Sequence, residues 1–352
     1  MTVVNHIYTY QDALDGVPVK GDIPIDFDCL DEPRLSAFLN NPHLSDTSLP
    51  MVLYSTVEDK VVGWMMLYPT RIVVDGQYEE ALSASDFHVL EEYQRLAVGV
   101  DLALFPLQYQ GVKYLLYAGP SPIALKMYKK MGFSILTMPY FERKQQMDYV
   151  LGRGIKSIIH NSISYFANVF LRIQQGIEMI TRKAEKYKAF QFDIVPEWVD
   201  TIFNHNEKRF CEVHDRKWLQ WCLDNRYHGE AENCQRFFGV FKDDVPVGFF
   251  LTTERFRCDR VYGFLMEWES IDRGLTELLI IRMALSTFSP SVKRVGITLN
   301  ELSYQDSLKK IRFTRKDDFH IVFKDLTHQL TDSHCPENWR LRFGYADVVL
   351  SG

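Results

Sequence analysis

Apolar and polar positions over residues 1–145 alternate in short runs. Val3–Tyr10, Met51–Ser55, Val61–Pro69 and Glu79–Val89 predict strands. Glu58-Asp59-Lys60 predicts a tight hairpin turn, and Asp75-Gly76 a second turn. A short helix is expected near Pro33–Leu39. Further helices are expected over Gly99–Gln110 and Ile123–Met131, with strands at Lys113–Tyr117 and Phe133–Met138. Two-residue periodicity puts Asp86 and His88 on one face of the Glu79–Val89 strand, and Phe87 and Val89 on the other. An antiparallel meander that turns mixed where the helices enter is an α+β pattern.

The pattern changes at residue 150. Ile155, Ile158, Ile159, Ile163, Phe166, Phe170, Ile173, Ile177 and Ile180 recur at helical spacing, with Lys156, Asn161 and Arg172 on the opposite face. The run ends in Arg182, Lys183, Lys186 and Lys188, charges suited to a helix C-terminus. This predicts a long amphipathic helical connector over 146–188. It packs between two lobes or, through 155–181, makes peripheral contact with a membrane surface. From Ala189 the short alternating runs return. Strands are expected at Phe190–Val195, Phe237–Lys242, Val245–Thr253, Val261–Trp268, Arg294–Leu299 and Asp318–Lys324. Helices are expected at Pro196–Asn204, Arg216–Asn225, Leu275–Thr287 and Tyr304–Ile311.

Asp243-Asp244-Val245-Pro246-Val247-Gly248-Phe249 echoes Glu58-Asp59-Lys60-Val61-Val62-Gly63-Trp64. In each, an acidic turn leads to a strand whose glycine precedes an aromatic. The reading is therefore two copies of one α+β domain with mixed central sheets, 1–145 and 189–352, joined by the 146–188 connector.

Composition narrows the function. The 352 residues are 46% apolar and 24% charged, which suits a soluble protein with two full cores. The net charge of −6 speaks against a general nucleic-acid surface. Residues 1–145 carry 18 acidic and 11 basic side chains, and the remainder 28 and 29. Cys29, Cys211, Cys222, Cys234, Cys258 and Cys335 are scattered, as reduced thiols of a cytosolic protein would be. The chain opens without a basic or apolar leader and has no membrane-length apolar run, so a cytoplasmic location is expected. No metal-ligand spacing is seen, and no metal is expected.

Two stretches carry candidate chemistry. Val89-Leu-Glu91-Glu-Tyr93-Gln94-Arg95-Leu96-Ala97-Val98-Gly99 ends a strand, turns on small residues and opens a helix. Such a corner lines up free backbone N–H groups, a ready site for a pyrophosphate. About 30 residues on, Ser121-x-x-Ala124-x-x-x-Tyr128-x-x-x-Gly132-Phe133 offers a serine-capped helix that carries a tyrosine.

In this order the two stretches resemble the GNAT superfamily of acyl-coenzyme A N-acyltransferases. Gln94-x-x-Ala97-x-Gly99 stands for its Arg/Gln-x-x-Gly-x-Gly/Ala signature, approached through Val89-x-Glu91-x-Tyr93. Alanine replaces the first glycine, glutamate replaces a proline, and Ser121 replaces an asparagine. Alanine is accommodated at 97 if φ stays negative there. The resemblance implies that acetyl- or another acyl-coenzyme A is the donor. Its pyrophosphate would meet Gln94, Arg95, Leu96, Ala97, Val98 and Gly99, and its pantetheine arm and thioester carbonyl the backbone at Val89. Ser121, Ala124 and Lys129 would adjoin the cofactor, and Tyr128 would protonate the departing thiolate. Asp86 or His88 would take the amine's proton, directly or through water.

The second copy departs further. The corner Ile271-Asp272-Arg273-Gly274 is short and poor in glycine, Leu308 stands where the tyrosine belongs, and Arg312 where glycine belongs. It is expected to keep the fold without the donor site and to shape the acceptor pocket, with Glu267, Trp268 and Glu269 as candidates. The Asn338-Trp339…Asp347 ending is loosely similar to that of tandem GNAT-like proteins of surface-polysaccharide biosynthesis. The implied acceptor is a small-molecule primary amine, an amino sugar first. Two alternatives stand: a Fem-like aminoacyltransferase using aminoacyl-tRNA, and a non-catalytic binding protein with decayed cofactor sites.

Overall fold

The computed structural model describes residues 2–109, 111–146, 186–205, 207–225, 234–257, 260–299 and 305–344. The expected amphipathic connector, including 155–181, lies outside the described residues apart from its ends. The chain forms two compact units. One is Met1–Met138 with Glu207–Gly229 and Phe319–Ser351, and the other is Pro139–Asn206 with Glu230–Asp318. The expected second domain, 189–352, is therefore divided between them, because later strands add to the sheet of the first unit.

In the first unit β1 (Val3–Thr9), β2 (Pro50–Val57), β3 (Lys60–Val74) and β4 (Gln77–Val89) form the expected antiparallel meander. Glu58 and Asp59 adopt φ +51° and +62°, and Asp75 and Gly76 φ +48° and +82°. Two successive left-handed residues match the right-handed twist of a hairpin, so both turns sit where short polar residues and glycine stand. β5 (Tyr114–Ala118) joins β4 in parallel, and Ile321–Asp325 of β13 (Thr314–Asp325) joins β5 antiparallel.

β3 runs five residues beyond its expected end. Ile72 and Val74 are buried there with Phe210 of β8 (Phe210–Glu212) and Trp339 of β14 (Trp339–Arg340), two short strands not anticipated from the sequence. Tyr10 opens a helix, α1 (Tyr10–Leu14), instead of ending β1. Thr9 and Asp12 make a reciprocal capping box that turns the chain at that point. The helices α2 (Glu32–Leu39), α3 (Val98–Gln108), α4 (Pro122–Lys130) and α6 (Arg216–Asp224) complete this unit; α5 (Trp198–Phe203) belongs to the other.

The second unit repeats the layout. β7 (Tyr187–Phe192), β9 (Cys234–Lys242), β10 (Val245–Arg257) and β11 (Arg260–Ser270) are antiparallel neighbours in that order. β12 (Val292–Thr298) joins β11 in parallel, and residues 140–144 of β6 (Ser134–Lys144) join β12 antiparallel. β7 begins three residues earlier than expected because Tyr187 pairs with Lys242 at the end of β9. Asp243 and Asp244 repeat the left-handed pair, at φ +50° and +63°. The core of this unit gathers Phe250, Trp268, Ile280, Val295 and Phe313, with α7 (Glu277–Thr287) and Leu308 of α8 (Gln305–Lys310).

A polar network is sealed into the first unit. Thr70 on β3 donates to Glu212 at 2.7 Å, and the His214 ring lies 3.1 Å from the other Glu212 oxygen and stacks on Trp218 at 3.7 Å. His43 is buried nearby. Burial first, then the positive charges of Arg71, His214 and Lys217, push its pKa down to about 3. The native state therefore keeps His43 neutral while the unfolded chain protonates it near pH 6.5. Stability from this group is complete above pH 6.5 and is lost as the pH falls toward 3. Between pH 7 and pH 5 the wild type is expected to lose about 2 kcal/mol more than a His43→Gln variant, read from urea midpoints at the two pH values.

Candidate functional site

The corner that the sequence singles out is built over one glycine. Gly63 on β3 pairs with Val89, the last residue of β4. A Cβ at Gly63 would lie 2.8 Å from Val98 Cγ1 and 3.3 Å from both Leu102 Cδ1 and the His88 carbonyl. The absence of that methyl lets the first turn of α3 settle on the sheet beside the end of β4. Leu90 N–H then returns to the Val62 carbonyl (2.9 Å), and the Gln94 side chain donates to the Val89 carbonyl (3.2 Å).

Between strand and helix, Glu91–Leu96 forms a 3-10 turn with Glu91, Glu92, Gln94, Arg95 and Leu96 exposed. Ala97 then adopts φ +60°, ψ +6°. This corrects the expectation of negative φ at position 97: alanine holds the left-handed conformation at a cost, because its Cβ crowds the following carbonyl. No side chain caps α3. The amides of Val100 and Asp101 both donate to the Ala97 carbonyl, so the amides of Val98 and Gly99 precede the first intrahelical bond, at the positive dipole end of the helix. Gly99 is not sterically forced, since a Cβ there would meet Phe87 and Val89 at an ordinary 3.4 Å. Those two contacts also show Phe87 and Val89 sharing a face, as the alternation predicts.

β4 is bulged near this end. Ser85 pairs with Met66 and His88 with Trp64, so Asp86 and Phe87 together face Met65. Asp86 takes φ +49° at the bulge. Its carboxylate accepts from the buried Arg34 at 2.9 Å, and Arg34 also reaches Asp28 at 2.8 Å. His88 is exposed and stacks on Trp64 at 4.6 Å. Arg34 and Asp28 are absent from the sequence-derived site. A buried arginine on an amphipathic helix carries no periodic signal that separates it from a surface charge.

β4 and β5 then part. Their ladder holds only Ala81 with Tyr114 and Leu82 with Leu115, after which the Ser83 hydroxyl, not a backbone amide, donates to the Leu116 carbonyl. From there β4 pairs only with β3, and β5 only with β13, among the described residues. Two facing strand edges are thereby left without ladder partners, and an extended ligand with amide groups could pair with them.

The second motif stands behind β5. Ser121 caps α4 by accepting from Ala124 N–H (3.2 Å), and Pro122 occupies the first turn. Tyr128 is 2% exposed and packs on Tyr117 of β5 (5.3 Å) and on Phe133 (4.9 Å). Gly132 takes φ +76° just past the helix, where Lys324 of β13 donates to the Met131 and Gly132 carbonyls. Burial raises the Tyr128 pKa, so its phenol is protonated at neutral pH. Lys129 is exposed on the same helix. Among the predicted residues, the structure gathers Asp86, His88, Val89 and Gly99 around the end of β4, and Ser121, Ala124 and Tyr128 behind the edge of β5. Tyr117, not singled out from the sequence, carries a fully buried hydroxyl with no partner.

The second unit repeats the scaffold and closes the corner. A Cβ at Gly248 would meet Leu275 Cδ2 and the Glu269 carbonyl at 2.8 Å, the same close approach as at Gly63. β11 carries an extra residue, Met266, opposite β10, and its ladder to β12 stops at Phe264 with Gly296. Here, however, Asp272 accepts from Gly274 N–H (2.7 Å) and from Lys242 (2.6 Å), and Thr276 caps α7 on Leu279 N–H. The hydrogen bond from Lys242, then that from the Gly274 amide, hold the Asp272 carboxyl below its usual range.

No family model and no curated protein matches this chain. Solved structures do. A GCN5-related N-acetyltransferase from Anabaena variabilis superposes with a TM-score of 0.56 at 9% identity, over 92% of this chain and 73% of that one. A GCN5-related N-acetyltransferase from Kribbella flavida gives 0.54 at 12% identity, over 92% and 72%. N-myristoyltransferase of Saccharomyces cerevisiae, solved with bound myristoyl-CoA and inhibitors, gives 0.53 at 12% identity, over 92% and 86%. The chain has the GCN5-related N-acetyltransferase fold, with mixed sheets as the sequence predicts.

Ala97→Gly relieves the left-handed alanine and is expected to stabilise the protein by about 0.5–1 kcal/mol. A raised denaturant midpoint at constant m-value is the expected reading, and an unchanged or lowered midpoint would show that the corner carries no such strain.

Proposed function

We propose that this protein is an acyl-coenzyme A-dependent N-acyltransferase with one donor site, in the first unit. The uncapped start of α3 beside the bulged end of β4 carries this reading. A helix N-terminus without a side-chain cap suits a pyrophosphate, and the parted strand edges suit the amides of a pantetheine arm. The similar folds, N-myristoyltransferase with bound myristoyl-CoA among them, support the same donor class. In the second unit the loop amide already has its anion in Asp272 and the helix its cap in Thr276, so that unit is read as taking no donor.

The acceptor is a primary amine, with an amino sugar as the first class to screen. Its nitrogen attacks the thioester carbon, the carbonyl oxygen takes the charge, and the carbon–sulfur bond breaks as the amide forms. Backbone N–H near Val89 polarises the carbonyl. The buried, protonated Tyr128 gives its proton to the departing thiolate. His88 accepts the proton lost by the amine. Asp86 is the weaker choice, because its carboxylate is engaged by Arg34. An aminoacyl-tRNA donor is disfavoured by the net charge of −6.

Calorimetric titration of acetyl-coenzyme A tests the reading. One site per chain is expected, lost in Gly99→Glu, which brings a bulky negative side chain into the first turn of α3, and kept in Asp272→Ala. Tyr128→Phe should bind the donor within about threefold of wild type while kcat falls about 10²–10³-fold. Absence of coenzyme A binding by the wild type would overturn the proposal.

A further inference from the structure

Outside that site, one group of side chains among the described residues has the chemistry of a metal centre. The ligand atoms of Asp332, His334 and Cys335 all lie within 4.8 Å of one another. They come from one turn, with Asp332 at φ +58° and Cys335 N–H donating to the Asp332 carbonyl at 3.1 Å. The turn is tied down independently of its three side chains. Asn338 donates from its side chain to the Asp332 carbonyl and from its backbone to the Cys335 carbonyl, each at 3.1 Å. Trp339, wholly buried against Phe210 and Phe323, donates to the Ser333 carbonyl at 2.8 Å. Asp332 and His334 are exposed and Cys335 is half-buried, so the group is open to an incoming ion.

We propose that Asp332, His334 and Cys335 bind a borderline-soft divalent transition metal of the Zn(II) class. The donor set selects the ion: a thiolate and an imidazole disfavour Mg(II) and Ca(II), and one carboxylate completes a three-ligand set that leaves the fourth tetrahedral position to water. Metal–ligand bonds of about 2.0–2.3 Å put tetrahedral donors about 3.5 Å apart, so binding requires the donors to close by about 1 Å. The thiol loses its proton to solvent as the metal–sulfur bond forms, and the metal does not change oxidation state. Glu337 supplies a further carboxylate near Cys335, while Arg209, paired with Asp75 at 2.6 Å, supplies an opposing charge near Asp332. Bound metal would pin the turn that leads into Trp339, and so β14. The site does not depend on the acyl-transfer reading.

Co(II) titrated into the reduced, full-length protein is the test. One equivalent should give sulfur-to-cobalt charge-transfer absorption and the intense visible bands of tetrahedral cobalt, both removed by Zn(II). Cys335→Ser should abolish the charge transfer, and His334→Gln and Asp332→Asn should each weaken binding by about tenfold or more. All three positions lie at the surface of the turn, and circular dichroism of the metal-free variants checks that they fold. No charge-transfer band in the wild type, or a band that survives in Cys335→Ser, would overturn the proposal.

Discussion

The close approach of α3 to β3 at Gly63 is the constraint on which the rest of the candidate site depends. Val98 and Leu102 press into the space that a side chain at 63 would fill, and Gly63 is also the pairing partner of Val89. One missing methyl therefore fixes two things together. It sets where the helix begins, and it places that beginning beside the end of β4. The bulge at Asp86 and Phe87 bends the same strand just before this point, and the Ser83 hydroxyl takes the Leu116 carbonyl out of the regular ladder. The parting of β4 from β5 follows from these local events and needs no long-range strain.

The second unit shows what the same scaffold does with different side chains. Gly248 repeats the close approach, Met266 the extra strand residue, and Phe264 with Gly296 the last rung before the strands part. Backbone geometry is thus shared, and electrostatics separates the two corners. In the first, Ala97 offers no side-chain acceptor to α3. In the second, Asp272 brings a carboxylate to the Gly274 amide, and Thr276 brings a hydroxyl to the helix. A corner already satisfied from within the chain gains little from an outside anion, since the incoming group must first displace a preorganised internal one.

The legible parts of this fold are those governed by local rules. The acidic turns at Glu58-Asp59 and Asp243-Asp244, the cap at Ser121, and the helix stop at Gly132 each follow from residues within a few positions. The echo between Gly63-Trp64 and Gly248-Phe249 was readable for the same reason, and it turned out to mark a packing contact. What was not readable came from afar. Ile72 and Val74 lengthen β3 because Phe210 and Trp339, distant in sequence, cover them. The left-handed turn at Ala97 could not be read from an alanine, which ordinarily avoids it. Arg34 was invisible because burial, not spacing, distinguishes a structural arginine from a solvated one.

Arg34 also decides how the two polar residues near the end of β4 divide their work. A guanidinium 4% exposed must keep its charge, and two carboxylates, Asp28 and Asp86, satisfy it. Asp86 is thereby committed to holding α2 against the bulge, and its left-handed backbone is held by that same pairing. His88 has no such obligation: its ring lies on the indole of Trp64 and remains open to solvent. The bulge thus separates two neighbouring polar residues into one that braces the strand and one that stays exposed beside Trp64. This division follows from the direction in which an extra residue turns the chain, since without the bulge both side chains would stand on the same regular face and compete for Arg34.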